Sequence, residues 1–395
     1  MTDDPQAGAV PAVRSRLWFD PQDYKLLGIV NDVLERSHYR GWKRLLAAYL
    51  HPHGIKELSA SKGLRIAYAV VHLLGSLEKG QAGDRLEALR SLRDEVLTAA
   101  ESSLQRNTAR VLLQIMKELV RAQGDPDRQL MLARDFRSAI PGRPRIIRRE
   151  LKKYHLLEMP EAWNQVASDD HVHDANSKGR KSPTHLIMDA WIKGIRTLTV
   201  VHYNFVQPEA AAELLEAAEI MGIRARIGIE LRVRYRRRYV KLIWTPGGLT
   251  GSQEMLSFLQ RPAVARFMDR GREVSAYQQR YVWAVLDAYN QRLRHELGRE
   301  YGVDLPVIER SAFLDYVGVG QPTVHHLAHY IWTQLSPALG CDGADATQLR
   351  EECRNIDADH ISQYWLGPEN NPEIHNPFKP DDGPEVPELL LLTAG

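Results

Sequence analysis

Between Leu26 and Leu34 the apolar positions fall at Leu26, Leu27, Ile29, Val30, Val33 and Leu34, the three- and four-residue spacing of one buried helix face. Asp20-Pro21 marks its start, since the aspartate can accept a first-turn N–H and the proline has none to waste. A second helix is predicted over 58–78. A longer pattern follows from Arg85 to Arg121, with Leu86, Leu89, Leu92, Val96, Leu104, Leu112, Leu113, Met116 and Leu119 on its buried side and a break near Asn107. No strand pattern interrupts this region. Residues 19–140 are therefore expected to form an all-α helical domain, a bundle or set of hairpins suited to packing or to a protein partner. Residues 1–18, acidic and then Pro/Ala-rich, are expected to be a disordered lead.

After residue 160 the pattern changes. A strand ends near Ser168–His173, and Pro183 then opens a helix that Gly194 closes. Leu198–Val201 is a short buried strand, Pro208 opens a helix through Met221 that Gly222 ends, and Ile223–Leu231 is a third strand. This alternation predicts an α/β domain over 161–335, with ligands at the C-terminal ends of its strands. Further on, Pro246-Gly247-Gly248 reads as a turn. Ser275 reads as the cap of a helix through Leu297 that buries Val282, Val285, Leu286, Tyr289 and Leu293. Gly318–Pro322 reads as a loop before a helix carrying His325, His326 and His329 as packing or surface residues. Residues 141–160 are a basic linker with Arg143, Arg145, Arg148, Arg149, Lys152 and Lys153, and 336–395 is a polar, proline-rich segment.

Composition narrows the class without naming a reaction. With 44% hydrophobic and 26% charged residues the chain is of the soluble globular kind, and a net charge of +2 points to no particular partner. Two cysteines, Cys341 and Cys353, exclude a disulfide scaffold. The first residues lack the basic and apolar regions of a secretory signal, and the longest apolar run, Ile66–Leu74, is too short to span a bilayer. A cytoplasmic location without membrane association is the expectation.

The chemistry concentrates around Asp169-Asp170-His171-Val172-His173. On a strand, residues two apart share a face, so both imidazoles project together, and with a carboxylate they suit a cation. Glu230 closes the third strand. Arg232, Arg234 and Arg236 form a row beyond it that suits either an anionic ligand or a charged hairpin edge. The basic linker could contact phosphates, including those of nucleic acid. Without interleaved aromatic residues, a solvated helix face is the preferred reading of it.

These residues resemble the PHP (polymerase and histidinol phosphatase) domain family. Asp169-Asp170-His171-Val172-His173 is similar to its Asp-x-His-x-His motif, Gly228-Ile229-Glu230 to its Gly-Ile-Glu motif, and Gly320-Gln321-Pro322-Thr323 to its Gly-Arg-Pro-His motif. The resemblance spans 165–330. It implies a distorted (β/α) barrel of PHP type, preceded here by the helical domain, and hydrolysis of phosphoesters with divalent metal (Zn, Mn or Fe). It also implies His171, His173 and Glu230 as metal ligands, Asp169 as a carboxylate orienting an imidazole, and His202 and Asn204 as further catalytic candidates. Lys178, Lys241, Arg232 and Arg234 are candidates for substrate phosphate.

The chain departs from the family where Ser177-Lys178-Gly179 stands for Ser-Asp-Gly and Val201-His202-Tyr203-Asn204 for Thr-Asp-His-Asp. Lys241 and Thr323 also stand where histidines are expected. Because a one-residue shift on a strand turns a side chain to the other face, His202 needs a bulge to replace the missing ligand. One ion, or none, is therefore expected instead of three. The two function classes that follow are a divergent metal-dependent phosphoesterase acting on a nucleotide, nucleic acid or other phosphorylated substrate, and a catalytically inactive anion-binding or interaction module.

Overall fold

The structure, a computed structural model, describes residues 19–36, 62–100, 102–159, 167–179, 181–235, 238–249, 251–318, 320–339 and 356–375. The expected lead 1–18, both cysteines and most of 336–395 lie outside the described residues. The chain divides into two compact units, one drawn from Met1–Ser76 and Arg90–Asn164, the other from Leu77–Leu89 and Gln165–Gly395. Taken together it is mixed α/β and mostly helical.

The described secondary structure of the first unit is entirely helical. It comprises α1 (Pro21–Arg36), α2 (Lys62–Ser76), the later turns of α3 (Ala82–Ala99), α4 (Gln105–Arg121), α5 (Pro126–Ala139) and α6 (Pro144–Lys153). Asp20 starts α1 as its sequence suggests, accepting the Gln22 N–H at 2.8 Å. The core holds Leu26, Val30, Val70, Leu92, Leu112, Leu113, Met116, Phe136 and Ile147, all buried. The break expected near Asn107 lies instead between Ala99 and Gln105. Asn107 is buried within α4, where its amide donates to the Met159 carbonyl (2.6 Å) and accepts the Met159 N–H (3.0 Å). A residue that weakens helices by competing for backbone groups here spends its amide on a distant strand of backbone instead. The basic residues of 141–153 lie largely on α6, and Arg148, Arg149 and Lys153 pair with Glu158, Glu150 and Asp135. That local neutralisation weakens the case for a phosphate-binding face.

The second unit carries a curled, half-barrel sheet of four strands in the order β1 (Ala167–Val172), β2 (Ile195–Tyr203), β3 (Arg224–Tyr235), β4 (Arg238–Trp244). The first three run parallel, with α7 (Pro183–Lys193) and α8 (Pro208–Met221) as crossovers; β4 returns antiparallel to β3. Gly194 and Gly222 end the two helices with φ of 78° and 68°, a left-handed turn that costs glycine little. Val200 and Ile229 share one buried face of the sheet and Val201 is buried on the other; Ile187 of α7 and Leu214 of α8 are buried too.

Beyond the sheet come α9 (Ser252–Leu259), α10 (Pro262–Ala288), a π-helical turn (Tyr289–Leu293), α11 (Arg294–Tyr301), α12 (Arg310–Val317), α13 (Val324–Ala338) and the short α14 (Ala358–His360). Leu286, Phe313, Leu327, Ile331 and Ile361 form their shared core. The helix expected to start at Ser275 starts at Pro262, so Ser275 is not a cap. It is buried mid-helix and accepts from Asn204 Nδ2 at 2.9 Å. One turn earlier, a Cβ at Gly271 would collide with the Asn204 carbonyl, so glycine is what lets α10 approach the end of β2.

Candidate metal centre and anion pocket

Three side chains meet where the parallel pairing ends. His171 is near the end of β1 and His173 one residue past it, while Glu230 lies mid-way along β3, at the last parallel pair with Tyr203, beyond which β3 runs on to Tyr235. Their ligand atoms all lie within 4.8 Å of one another. His171 Nε2 is 3.2 Å from His173 Nε2 and 3.5 Å from Glu230 Oε2. Donor atoms ~2.1 Å from a tetrahedral ion lie ~3.4 Å apart, so both measured separations suit a common cation. The register of β1 helps bring this about. Asp169 pairs with Leu198 and Val172 with Val200, three steps against two, which is a bulge that re-aims His171.

A second observation tests the fit. Glu230 is buried, and its Oε2 accepts no hydrogen bond. A carboxylate oxygen left so is costly, and a cation at this point would satisfy it. Two imidazoles and a carboxylate are also the ligand set of hydrolytic zinc sites that keep an open position. The His171/His173/Glu230 group could hold a metal ion.

Ser177 orients the second histidine, a contact that no spacing along the chain signals. Its hydroxyl lies 3.0 Å from His173 Nδ1 and donates to the Val201 carbonyl at 3.1 Å. With its hydrogen directed at Val201, the oxygen accepts from His173 Nδ1–H, which leaves the Nε2 lone pair facing Glu230 and His171. Asp169, the carboxylate expected to orient an imidazole, accepts the His171 backbone N–H at 3.3 Å.

Burial, reinforced by the positive charge of Lys178 and by His171, pushes the His173 imidazole down to about 4 from 6.5, against a smaller opposing pull from the Val201 carbonyl. The folded value is below the unfolded one, so the unfolded chain takes up the proton first. Stability from neutral His173 is complete above pH 6.5 and is lost as pH falls through about 4. Metal-free protein is expected to show a falling Tm across that window, and His173→Gln to flatten the fall. An identical pH profile in the variant would contradict the assignment.

No protein-family model, curated protein or solved structure matches the chain.

A pocket of about 360 Å³ opens at Glu230, the member of the three-residue group that lines it. Tyr203, Asn204, Glu230 and Leu231 line it from the sheet, and Ser275, Gln278, Gln279 and Val282 from α10. Gln321, Thr323 and His325 line it from the start of α13, while Lys178 and Lys241 complete it. Lys241 Nζ is 2.9 Å from Glu230 Oε1, and Lys178 Nζ stands 6.0 Å from the Tyr203 ring centre. Tyr203 in turn lies tilted against His173, with ring centres 5.1 Å apart.

Of the other expected site residues, Asn204 reaches the pocket. It is held at φ 63° by amide bonds to Ser275 and Gln278, and its N–H extends the ladder to the Glu230 carbonyl. His202 does not reach it. No bulge occurs between β2 and β3, so His202 pairs with Ile229 while Tyr203 pairs with Glu230, and the imidazole is buried on the opposite face. Arg232 and Arg234 continue β3 opposite Lys241 and Tyr239. The walls supplied by α10 and α13 have no signal in local spacing: the sequence reads Ser275 as a helix cap, Val282 as a buried helix position and His325 as a surface or packing residue.

Proposed function

We propose that the chain is a divergent, metal-dependent phosphoester hydrolase of PHP type, whose half-barrel sheet is the metal-bearing part of a distorted (β/α) barrel. The observation that carries this reading is the convergence of His171, His173 and Glu230 beside a pocket that presents Lys178 and Lys241. His171, His173 and Glu230 hold one divalent ion (Zn, Mn or Fe). When bound, it polarises a phosphoryl oxygen and makes water a better nucleophile.

The chain's own side chains do the rest. Lys178 and Lys241 hold the non-bridging oxygens of a nucleotide, nucleic acid or other phosphorylated substrate, with Arg232 and Arg234 further along β3. Asn204, fixed by Ser275 and Gln278, positions the substrate. Ser177 keeps His173 in the tautomer that can ligate. Among the described residues no helix is long and apolar enough to cross a membrane, and a chain with two cysteines suits the reducing cytoplasm, which we take as its compartment.

Phosphomonoesters and phosphodiesters offered to protein loaded with Zn²⁺, Mn²⁺ or Fe²⁺ test this. Turnover that a chelator removes supports it; no turnover with any of these metals overturns it. Ser177→Ala is expected to weaken metal affinity by about 10- to 100-fold through loss of ring orientation. A metal titration checks this, and unchanged affinity would show that the hydroxyl does not orient His173. One observation favours a second reading, an inactive anion-binding module: the Lys241 ammonium already sits on Glu230, where a charge can replace that of a metal.

A further inference from the structure

The two readings meet at Lys241. Its ammonium is 2.9 Å from Glu230 Oε1, and the same carboxylate supplies the oxygen turned towards His171. The Lys241 side chain is 54% exposed and lines the pocket, so it can leave the carboxylate without breaking packing. Glu230 has no such freedom: it is buried at the end of a parallel pair, opposite Tyr203. Ammonium and cation address different oxygens of one fixed carboxylate, Oε1 and Oε2, so their like charges repel at close range, and the partner that can move is the lysine.

We infer that Lys241 couples the two ligands of this pocket: a bound phosphate anion draws the ammonium off Glu230 and so strengthens cation binding, and a bound cation releases the ammonium to hold phosphate. The inference rests on the metal-site reading above. The coupling is reciprocal, because whatever factor the anion lends to the cation the cation must return to the anion. Without phosphate, Lys241 neutralises Glu230 and guards the site against metal. With phosphate, the ammonium serves the anion and the carboxylate is free for the ion. Lys178, whose Nζ stands 6.0 Å from the Tyr203 ring centre, gives the anion a second positive partner.

Titrating Mn²⁺ into the full chain by calorimetry, with and without saturating inorganic phosphate, tests the coupling. Wild type is expected to bind Mn²⁺ about tenfold more tightly with phosphate present. Lys241→Met is expected to bind it about tenfold more tightly without phosphate, and to gain little when phosphate is added. Lys241→Gln should repeat the result, which separates it from any packing change at methionine. Lys178→Met removes the same charge without touching Glu230 and is expected to produce the smaller shift. Wild-type affinity in both Lys241 variants would overturn the coupling, as would an equal shift in Lys178→Met. Absence of Mn²⁺ binding in wild type and Lys241→Met alike would overturn the metal site itself, a separate outcome.

Discussion

Replacing His171 and His173 together with alanine is expected to lower phosphoester hydrolysis by about 10³-fold or more, the ~4 kcal/mol that a polarising cation supplies to a phosphoryl transition state. The effect should be on chemistry with folding spared. The His171 side chain is 43% exposed, and His173 is half-buried beneath Tyr203, so neither loss opens a core cavity. Ser177 keeps its bond to the Val201 carbonyl, which holds the turn after β1. Lys178 and Lys241 remain, so phosphate binding should weaken only by the roughly tenfold that the cation lends it while turnover falls much further, lowering kcat much more than it raises KM. Initial rates in Mn²⁺, with the variant's Tm as a control, check this. Wild-type turnover in a folded variant would place the chemistry elsewhere.

The second large effect is on stability. Arg85 makes paired bonds to Glu213, Nε to Oε1 at 2.7 Å and Nη2 to Oε2 at 2.5 Å, and Thr184 donates to Oε1 at 2.6 Å. The two side chains are 11% and 4% exposed. This network fastens Leu77–Leu89 to α7 and α8 within the second unit. Arg85→Ala leaves the Glu213 carboxylate buried with one hydroxyl for company, and is expected to cost about 3 kcal/mol. Arg85→Met/Glu213→Leu removes both charges, and is expected to come within about 1 kcal/mol of wild type, because the desolvation cost goes with the attraction. Urea midpoints of the three proteins check the pair. Equal losses in the single and double variants would mean that packing, not the orphaned charge, sets the cost.

The strand–helix alternation from Pro183 to Glu230 was legible because its punctuation is local. Two prolines open the helices and two glycines in left-handed turns close them. His171 and His173 were legible as a pair from their spacing, but a bulge precedes them and His173 lies one residue past β1, so strand alternation alone does not set their shared direction. What the sequence hid is whatever depends on distant partners or on register. The bulge in β1 depends on how it pairs with β2. Ser177 acts through a turn that folds back on Val201. Asn107 looked like a helix break until its amide found Met159, and Ser275 looked like a cap until Asn204 took its hydroxyl. Gln278 and Gln279 reach the pocket because α10 packs against the end of β2, which no periodicity within α10 could reveal.

The resemblance to PHP domains pointed to three side chains, His171, His173 and Glu230, that the structure brings within reach of one ion. It also pointed to His202, which the unbroken β2–β3 register keeps on the other face. A shift of one residue in a motif was therefore decisive at this site.

The most direct test is the metal content of protein purified without chelator, wild type beside His171→Ala/His173→Ala. The metal-site account predicts close to one Zn, Mn or Fe per chain in the wild type and none in the variant. Equal metal content in both proteins, or none in either, would contradict it.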